Sequence, residues 1–176
     1  MSLEIITYPD ERLKQVSAPV EHFDGELRDF IAALEDTMRA GPGGVGIAAP
    51  QVGHFFRIAI VDVSAMGKLP KKSTNHGRIV LINPEITEWQ GMVMGREGCM
   101  SVPDFTGNVI RAEKIVLTAF DEQGQSHEYH CEGFEARAVQ HEVDHLDGML
   151  FLDRLVSRRT DLFRRKVYEG QGKGKR

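Results

Sequence analysis

Residues 133–148 read GFEARAVQHEVDHLDG. Upstream of this stretch, apolar residues recur with the two-residue period of strands. From Gly133 the period lengthens to 3.6, which predicts a helix over 134–147 ended by Gly148. Phe134, Ala138, His141 and His145 stand at i, i+4, i+7 and i+11 and share one stripe. Val139, Val143, Leu146 and Leu150 make a second, apolar stripe suited to pack on a sheet. His141 and His145 therefore point the same way, and Glu142 completes the pattern H-E-x-x-H, which binds metal when it lies on a helix. The first stripe then faces an open site, with Phe134 and Ala138 lining the space beside the metal. Glu142 lies about 100° around the helix from His141. That is off the ligand stripe, where a base acting on metal-activated water belongs. Two histidines at this spacing also arise by chance, so the motif alone does not make a site.

A third ligand separates the alternatives. The metzincin extension H-E-x-x-H-x-x-G-x-x-H finds its glycine in Gly148 but meets Phe151 where the last histidine belongs. A downstream glutamate, the thermolysin-like choice, exists only as Glu169 in a basic tail. Cys99, in EGCMSVP, is the strong donor upstream, and its neighbours Gly98 and Pro103 predict a bent backbone there. Two histidines and one cysteine with an open position are a catalytic arrangement. Cys99 and Cys131 together with the two histidines would instead make a closed structural site, although neither cysteine has C-x-x-C spacing. Asp144, Glu97 and Arg111 are candidate second-layer partners, and Cys131, His127 and His130 read as strand residues without a role.

Outward from this helix, the rest of the chain has the pattern of an α+β fold with a mainly antiparallel sheet. Asp24 caps a predicted helix over 25–40, with Leu27, Phe30, Ile31, Leu34 and Met38 on one stripe and Gly41-Pro42 as its stop. Residues 55–63, 78–84 and 86–89 read as strands, and 64–78 as a polar loop. An EQGQ turn at 122–125 joins two strand-like segments into a hairpin. Between the first helix and these strands lies GGVGIAAPQVG (43–53). It follows a helix rather than a strand and lacks Gly-Lys-Ser/Thr, so it is neither a dinucleotide fingerprint nor a Walker loop, and no nucleotide cofactor is expected. Its small residues suit close approach by a peptide that adds a strand, with Gln51 as an amide donor to a developing oxyanion. A tight turn under the core is the plainer alternative.

Composition fits a single domain. The chain has 176 residues, 41% hydrophobic and 27% charged, enough to bury a real core. No run approaches the ~18 apolar residues of a membrane span, and the N-terminus has no signal-peptide pattern. Two cysteines are too few for a disulfide framework, which leaves a cytoplasmic location as the expectation. The net charge of −4 is unevenly spread: nine lysines and arginines face two acids from Arg154 to Arg176, on an otherwise acidic chain. A helix is predicted over Arg154–Lys166, with Leu155, Val156, Leu162 and Phe163 docked and six basic residues outward; QGKGKR (171–176) reads as a disordered basic tail after a domain at 1–170.

Three segments together resemble the motifs of peptide deformylase: GVGIAAPQ (44–51), EGCMS (97–101) and QHEVDHLDG (140–148). Met100 stands where leucine is usual, and DFTGN after Pro103 lacks an arginine found there in well-known bacterial members. The resemblance implies a single α+β domain packed around a central metal-binding helix, with an N-terminal and a C-terminal helix. It implies hydrolytic removal of the N-formyl group from the initiator methionine of nascent polypeptides, with release of formate. By position, Cys99, His141 and His145 bind the metal, Glu142 is the general acid/base, and Gln51 and the Met100 N–H stabilise the oxyanion. Val45 and Gly46 border the peptide, while Phe134 and Ala138 line the methionine pocket. The implied metal is ferrous iron, with Zn2+, Ni2+ or Co2+ as substitutes. The basic C-terminal segment implies docking to the large ribosomal subunit near the exit tunnel.

Overall fold

Asp24 starts the first long helix: its carboxylate accepts from the Leu27 N–H, satisfying one of the donors a helix start leaves open. This helix, α1 (Gly25–Ala40), ends at Gly41 as expected. The protein is described here by a computed structural model covering residues 2–165. The predicted tail at 171–176, with Lys166 and Glu169, lies outside the described residues.

Five strands form one antiparallel sheet in the order β1 (Gly46–Ala48), β2 (Ile58–Val61), β3 (Ile79–Gln90), β6 (Lys114–Phe120), β7 (Ser126–Glu132). A second antiparallel sheet holds β4 (Val93–Cys99), β5 (Val102–Arg111) and β8 (Leu162–Arg164). The IAIV run of β2 is buried on both faces, which explains its continuous apolar sequence where half-buried strands alternate. Ile58 and Ile60 pack with Leu27, Ile31, Leu34 and Met38 of α1. Ala59 and Val61 face the other way, onto Ala136, Val139 and Leu146 of α2 (Phe134–Leu146).

That helix is the centre of the molecule. It starts after Gly133 and stops before Gly148, both at positive φ (72° and 76°) that a residue without Cβ adopts without strain. The Leu146 carbonyl, left open at the helix end, accepts from the Ser17 N–H and from the Arg57 guanidinium. Leu150, placed on the helical stripe by its spacing, instead lies beyond the turn in a third apolar cluster with Leu13, Val109 and Phe151.

The C-terminal helix is shorter than predicted. Residues 151–154 make a 3-10 turn, α3 is the single turn Arg158–Asp161, and the chain then extends into β8. Strand β5 is the cause. Its open edge takes Leu162–Arg164 in register with Gly107–Phe105, while Arg96 stacks over the Phe163 ring at 3.8 Å. Edge pairing therefore overrides an amphipathic pattern. The residues expected as two strands at 78–84 and 86–89 form one long β3, continuous through bulges. Among the described residues no helix is long and apolar enough to cross a membrane.

Candidate metal centre and active site

Cys99 ends β4, where a register shift after Glu97 and the tight return to Val102 bend the hairpin toward α2. The predicted bend is thus the turn of a hairpin. Its thiol lies 3.4 Å from His145 Nε2, and the donor atoms of Cys99, His141 and His145 all fall within 4.8 Å of one another. All three side chains are buried. Cys131 belongs to a different cluster, with His76 and Glu135, so the closed two-cysteine alternative does not assemble.

Glu97 organises the ground behind this centre. Its Oε1 is 2.9 Å from His141 Nδ1, which turns Nε2 of the same ring toward the other donors. Arg111 binds both Glu97 oxygens at 2.9 Å and also reaches Asp144 at 2.6 Å. Arg137 adds a bond to Glu97 at 2.7 Å, and Arg154 brackets Asp144. Asp144 is therefore a buried member of the network, and Arg111 bridges both acids. Burial alone would raise the Glu97 carboxyl, but the hydrogen bonds from Arg111 and His141 outweigh it and hold the group well below the usual range. Burial lowers His145, which favours the neutral imidazole that a metal requires.

Glu142 has a different setting. It is buried, and among the described residues its Oε1 has no hydrogen-bond partner. Burial pushes its carboxyl up to about 7. An orphaned carboxylate oxygen beside three metal-type donors is the arrangement expected of a proton carrier awaiting a substrate. A cavity of about 710 Å³ opens onto Glu142, His141 and Cys99. Val45, Gly46, Gln51 and Met100 line it on one side, and Phe134 and Ala138 on another. His145 does not line the cavity and completes the donor group from 3.4 Å away at Cys99.

The glycine-rich stretch divides between the two alternatives considered for it. Gly46–Ala48 is an edge strand with β2 on one side, and Ala49–Val52 is a 3-10 turn. Gln51 is held from both ends: Oε1 accepts from the Ala48 N–H at 2.9 Å, and Nε2 donates to Ser101 Oγ at 3.0 Å and approaches the Cys99 thiol at 3.4 Å. Gly46 is required by close approach, since a Cβ there would stand 2.5 Å from Glu142 Oε2.

Sequence reasoning missed three arginines. Arg137 stands four residues before His141, at helical spacing that faces the same centre, and this was the available signal. Arg96 alternates with Glu97 on β4 and lines the cavity. Arg165 reaches the cavity because β8 turns the chain back, and its guanidinium contacts the Cys99, Val102 and Phe105 carbonyls at 3.3–3.4 Å. No local pattern in the sequence announces that return.

Comparison with known proteins gives one answer. The family described as "Polypeptide deformylase" matches residues 2–161. A peptide deformylase of Thermodesulfovibrio yellowstonii is 41% identical over 164 residues, covering 93% of this chain and 95% of the relative. One from Wolinella succinogenes is 43% identical, covering 95% and 93%. Among solved structures, the Ehrlichia chaffeensis peptide deformylase superposes with a TM-score of 0.81 at 32% identity, covering 90% of each chain. The Acinetobacter baumannii class I type b peptide deformylase, solved with Met-Ala-Ser bound, gives 0.78 at 38%, covering 88% of this chain and 99% of that one.

Proposed function

The chain belongs to the polypeptide deformylase family, a family of hydrolases, and from that premise we propose that it removes the N-formyl group from the first methionine of new proteins by a metal-dependent route. One observation carries the reading: a Cys99–His141–His145 donor group and the orphaned Glu142 oxygen share one cavity. The donor set fits a borderline-soft dication, because one thiolate and two imidazoles suit iron, zinc, cobalt or nickel. We assign ferrous iron as the resident ion, with the others as substitutes. Three protein ligands leave an open coordination position. A dication held there would lower the pKa of water towards ~7 and polarise a carbonyl oxygen.

The chain's own residues do the rest. Glu142 accepts the proton of the attacking water and delivers it to the amine nitrogen as the formyl C–N bond breaks. Gln51 Nε2 and the Met100 N–H donate to the oxygen that gains negative charge; the bonds to Ala48 and Ser101 hold Gln51 in place while its second N–H, which approaches Cys99, turns to that oxygen. Val45 and Gly46 border the peptide beside the outer edge of β1, and Phe134 and Ala138 receive the methionine side chain. The methionine-first peptide bound by the Acinetobacter baumannii relative supports this assignment. Arg96 and Arg165 face the peptide beyond the methionine, at a place where DFTGN supplies no arginine. A formyl carbon bears only hydrogen, so a narrow site admits it and rejects longer acyl groups. We further propose that the basic segment from Arg158 onward docks the enzyme to the large ribosomal subunit, where its substrates emerge.

The test is formate release from formyl-Met-Ala-Ser by anaerobically purified protein with its metal content measured. Rapid release with no turnover of the acetylated peptide is expected. Absence of formate from metal-loaded protein, or equal hydrolysis of both peptides, overturns the reading.

A further inference from the structure

A second group of donor atoms lies at the opposite end of α2 from Gly148, outside the cavity just described. Glu135, in the first turn of the helix, is fully buried. Its carboxylate accepts from Thr74 Oγ1 at 2.6 Å and from the His76 N–H at 2.9 Å, and it faces His76 Nδ1 at 2.7 Å. Cys131, the penultimate residue of β7, is also buried and directs its thiol at the same carboxylate. The His76 Nδ1, the Cys131 Sγ and a Glu135 oxygen all lie within 4.8 Å of one another. We infer that His76, Cys131 and Glu135 form a second metal site, one that takes a borderline-soft transition-metal dication such as zinc.

The donor chemistry selects the ion. One imidazole, one sulfur and one carboxylate are each ordinary zinc ligands, whereas magnesium and calcium prefer oxygen alone. The geometry supplies an entrance. Cys131 and Glu135 form the buried floor, and the His76 side chain, 34% exposed, stands between them and solvent. Three protein ligands would leave a fourth position for a solvent molecule. The His76 ring is already oriented, because its own backbone N–H is bonded to Glu135 and its edge rests on Tyr129 at 5.4 Å between centroids. Electrostatics favour occupation. Among the described residues Glu135 makes its ion-pair contact with His76. A dication would balance the charge of that buried carboxylate. Cys131 is a free thiol and brings its proton to the site. On binding, the S–H bond breaks, a sulfur–metal bond forms, and the proton passes to the buffer. No oxidant or further reactant is required.

The ion would tie the loop bearing Thr74 and His76 to the β7–α2 corner, where Cys131 and Glu135 stand four residues apart. Binding to the folded state alone should raise stability in proportion to the logarithm of free zinc. The full-length protein, saturated with zinc and desalted, should retain two zinc ions per chain. His76→Gln, at a half-exposed position, and Cys131→Ser should each retain one. Zinc beyond the first equivalent should raise the melting temperature of the wild type but not of either variant, while formate release by His76→Gln stays unchanged. A second equivalent that persists in both variants overturns the site, as does a wild-type count of one that disappears with Cys99→Ala. A count of one that survives Cys99→Ala and is lost in His76→Gln upholds this site and overturns the Cys99 centre instead, so the two assignments fail separately.

Discussion

Two glutamates at the centre differ by what surrounds them. Glu97 is held by Arg111, Arg137 and His141, whereas Glu142, next to His141 on α2, keeps an oxygen without a partner among the described residues. The first is fixed as an anion and orients a histidine. The second can gain and lose a proton near neutrality. Glu142→Ala should therefore retain metal and lose roughly 10²–10⁴ in kcat, the usual size of a general acid/base contribution. Loss of metal in step with activity would move Glu142 from proton carrier to ligand. Glu97 makes a prediction in the opposite sense. Its folded pKa lies below the unfolded value near ~4.3, so its ionised form stabilises the fold above that pH. The contribution falls away as pH drops through the folded pKa. Replacing it also leaves Arg111 and Arg137 buried with less compensation. Glu97→Gln should cost about 3–5 kcal/mol in urea unfolding at pH 7, and the gap from wild type should narrow steadily below pH ~4. A gap independent of pH would show that shape, not charge, matters at this position.

The elements differ in how plainly the sequence announces them. Asp24 with its following stripe, the EQGQ hairpin and the two glycines bracketing α2 each carry a local signal with a physical cause, and each forms where expected. Strand β4 carries none: VMGREGC has two glycines and a charged pair, and its strand is made by pairing with β5. The same is true of β8, whose residues suit a helix until the β5 edge is available. The donor group was legible because H-E-x-x-H depends on helical spacing alone, and Cys99 because few strong donors competed. Arg165 was not, since only a long-range strand pairing delivers it. Strand β1 joins this level to the chemistry. It can lie close to α2 because Gly46 has no side chain to meet Glu142. Gly46→Ala should thus fold and hold metal normally while lowering kcat at least tenfold, as the new methyl displaces the Glu142 carboxylate. Full activity in this variant would mean that the strand retreats without disturbing the acid.

At the scale of the molecule, charge and architecture separate into an acidic body and a basic end. The −4 total conceals that division, and basic residues from Arg154 onward outnumber acids by nine to two. They do not all serve one purpose. Arg154 is bound to Asp144, Arg165 lines the cavity, and Arg164 lies over the Phe105 ring at 5.9 Å. Changing them would disturb the fold or the site and would blur any test of an external partner. Among the described residues of this end, Arg158 and Arg159 are exposed on the single turn of α3 and remain for a polyanionic surface. Lysine and arginine contacts to phosphate release counterions, so binding to ribosomal RNA should weaken steeply with salt. The double variant Arg158→Gln, Arg159→Gln should co-sediment less with large ribosomal subunits at low salt and show a shallower salt dependence. Its kcat/KM on a free formyl-Met tripeptide should equal that of wild type, because neither residue lines the cavity. Equal co-sedimentation with and without these charges, or none at low salt for wild type, would leave the basic end without the ribosomal role assigned to it.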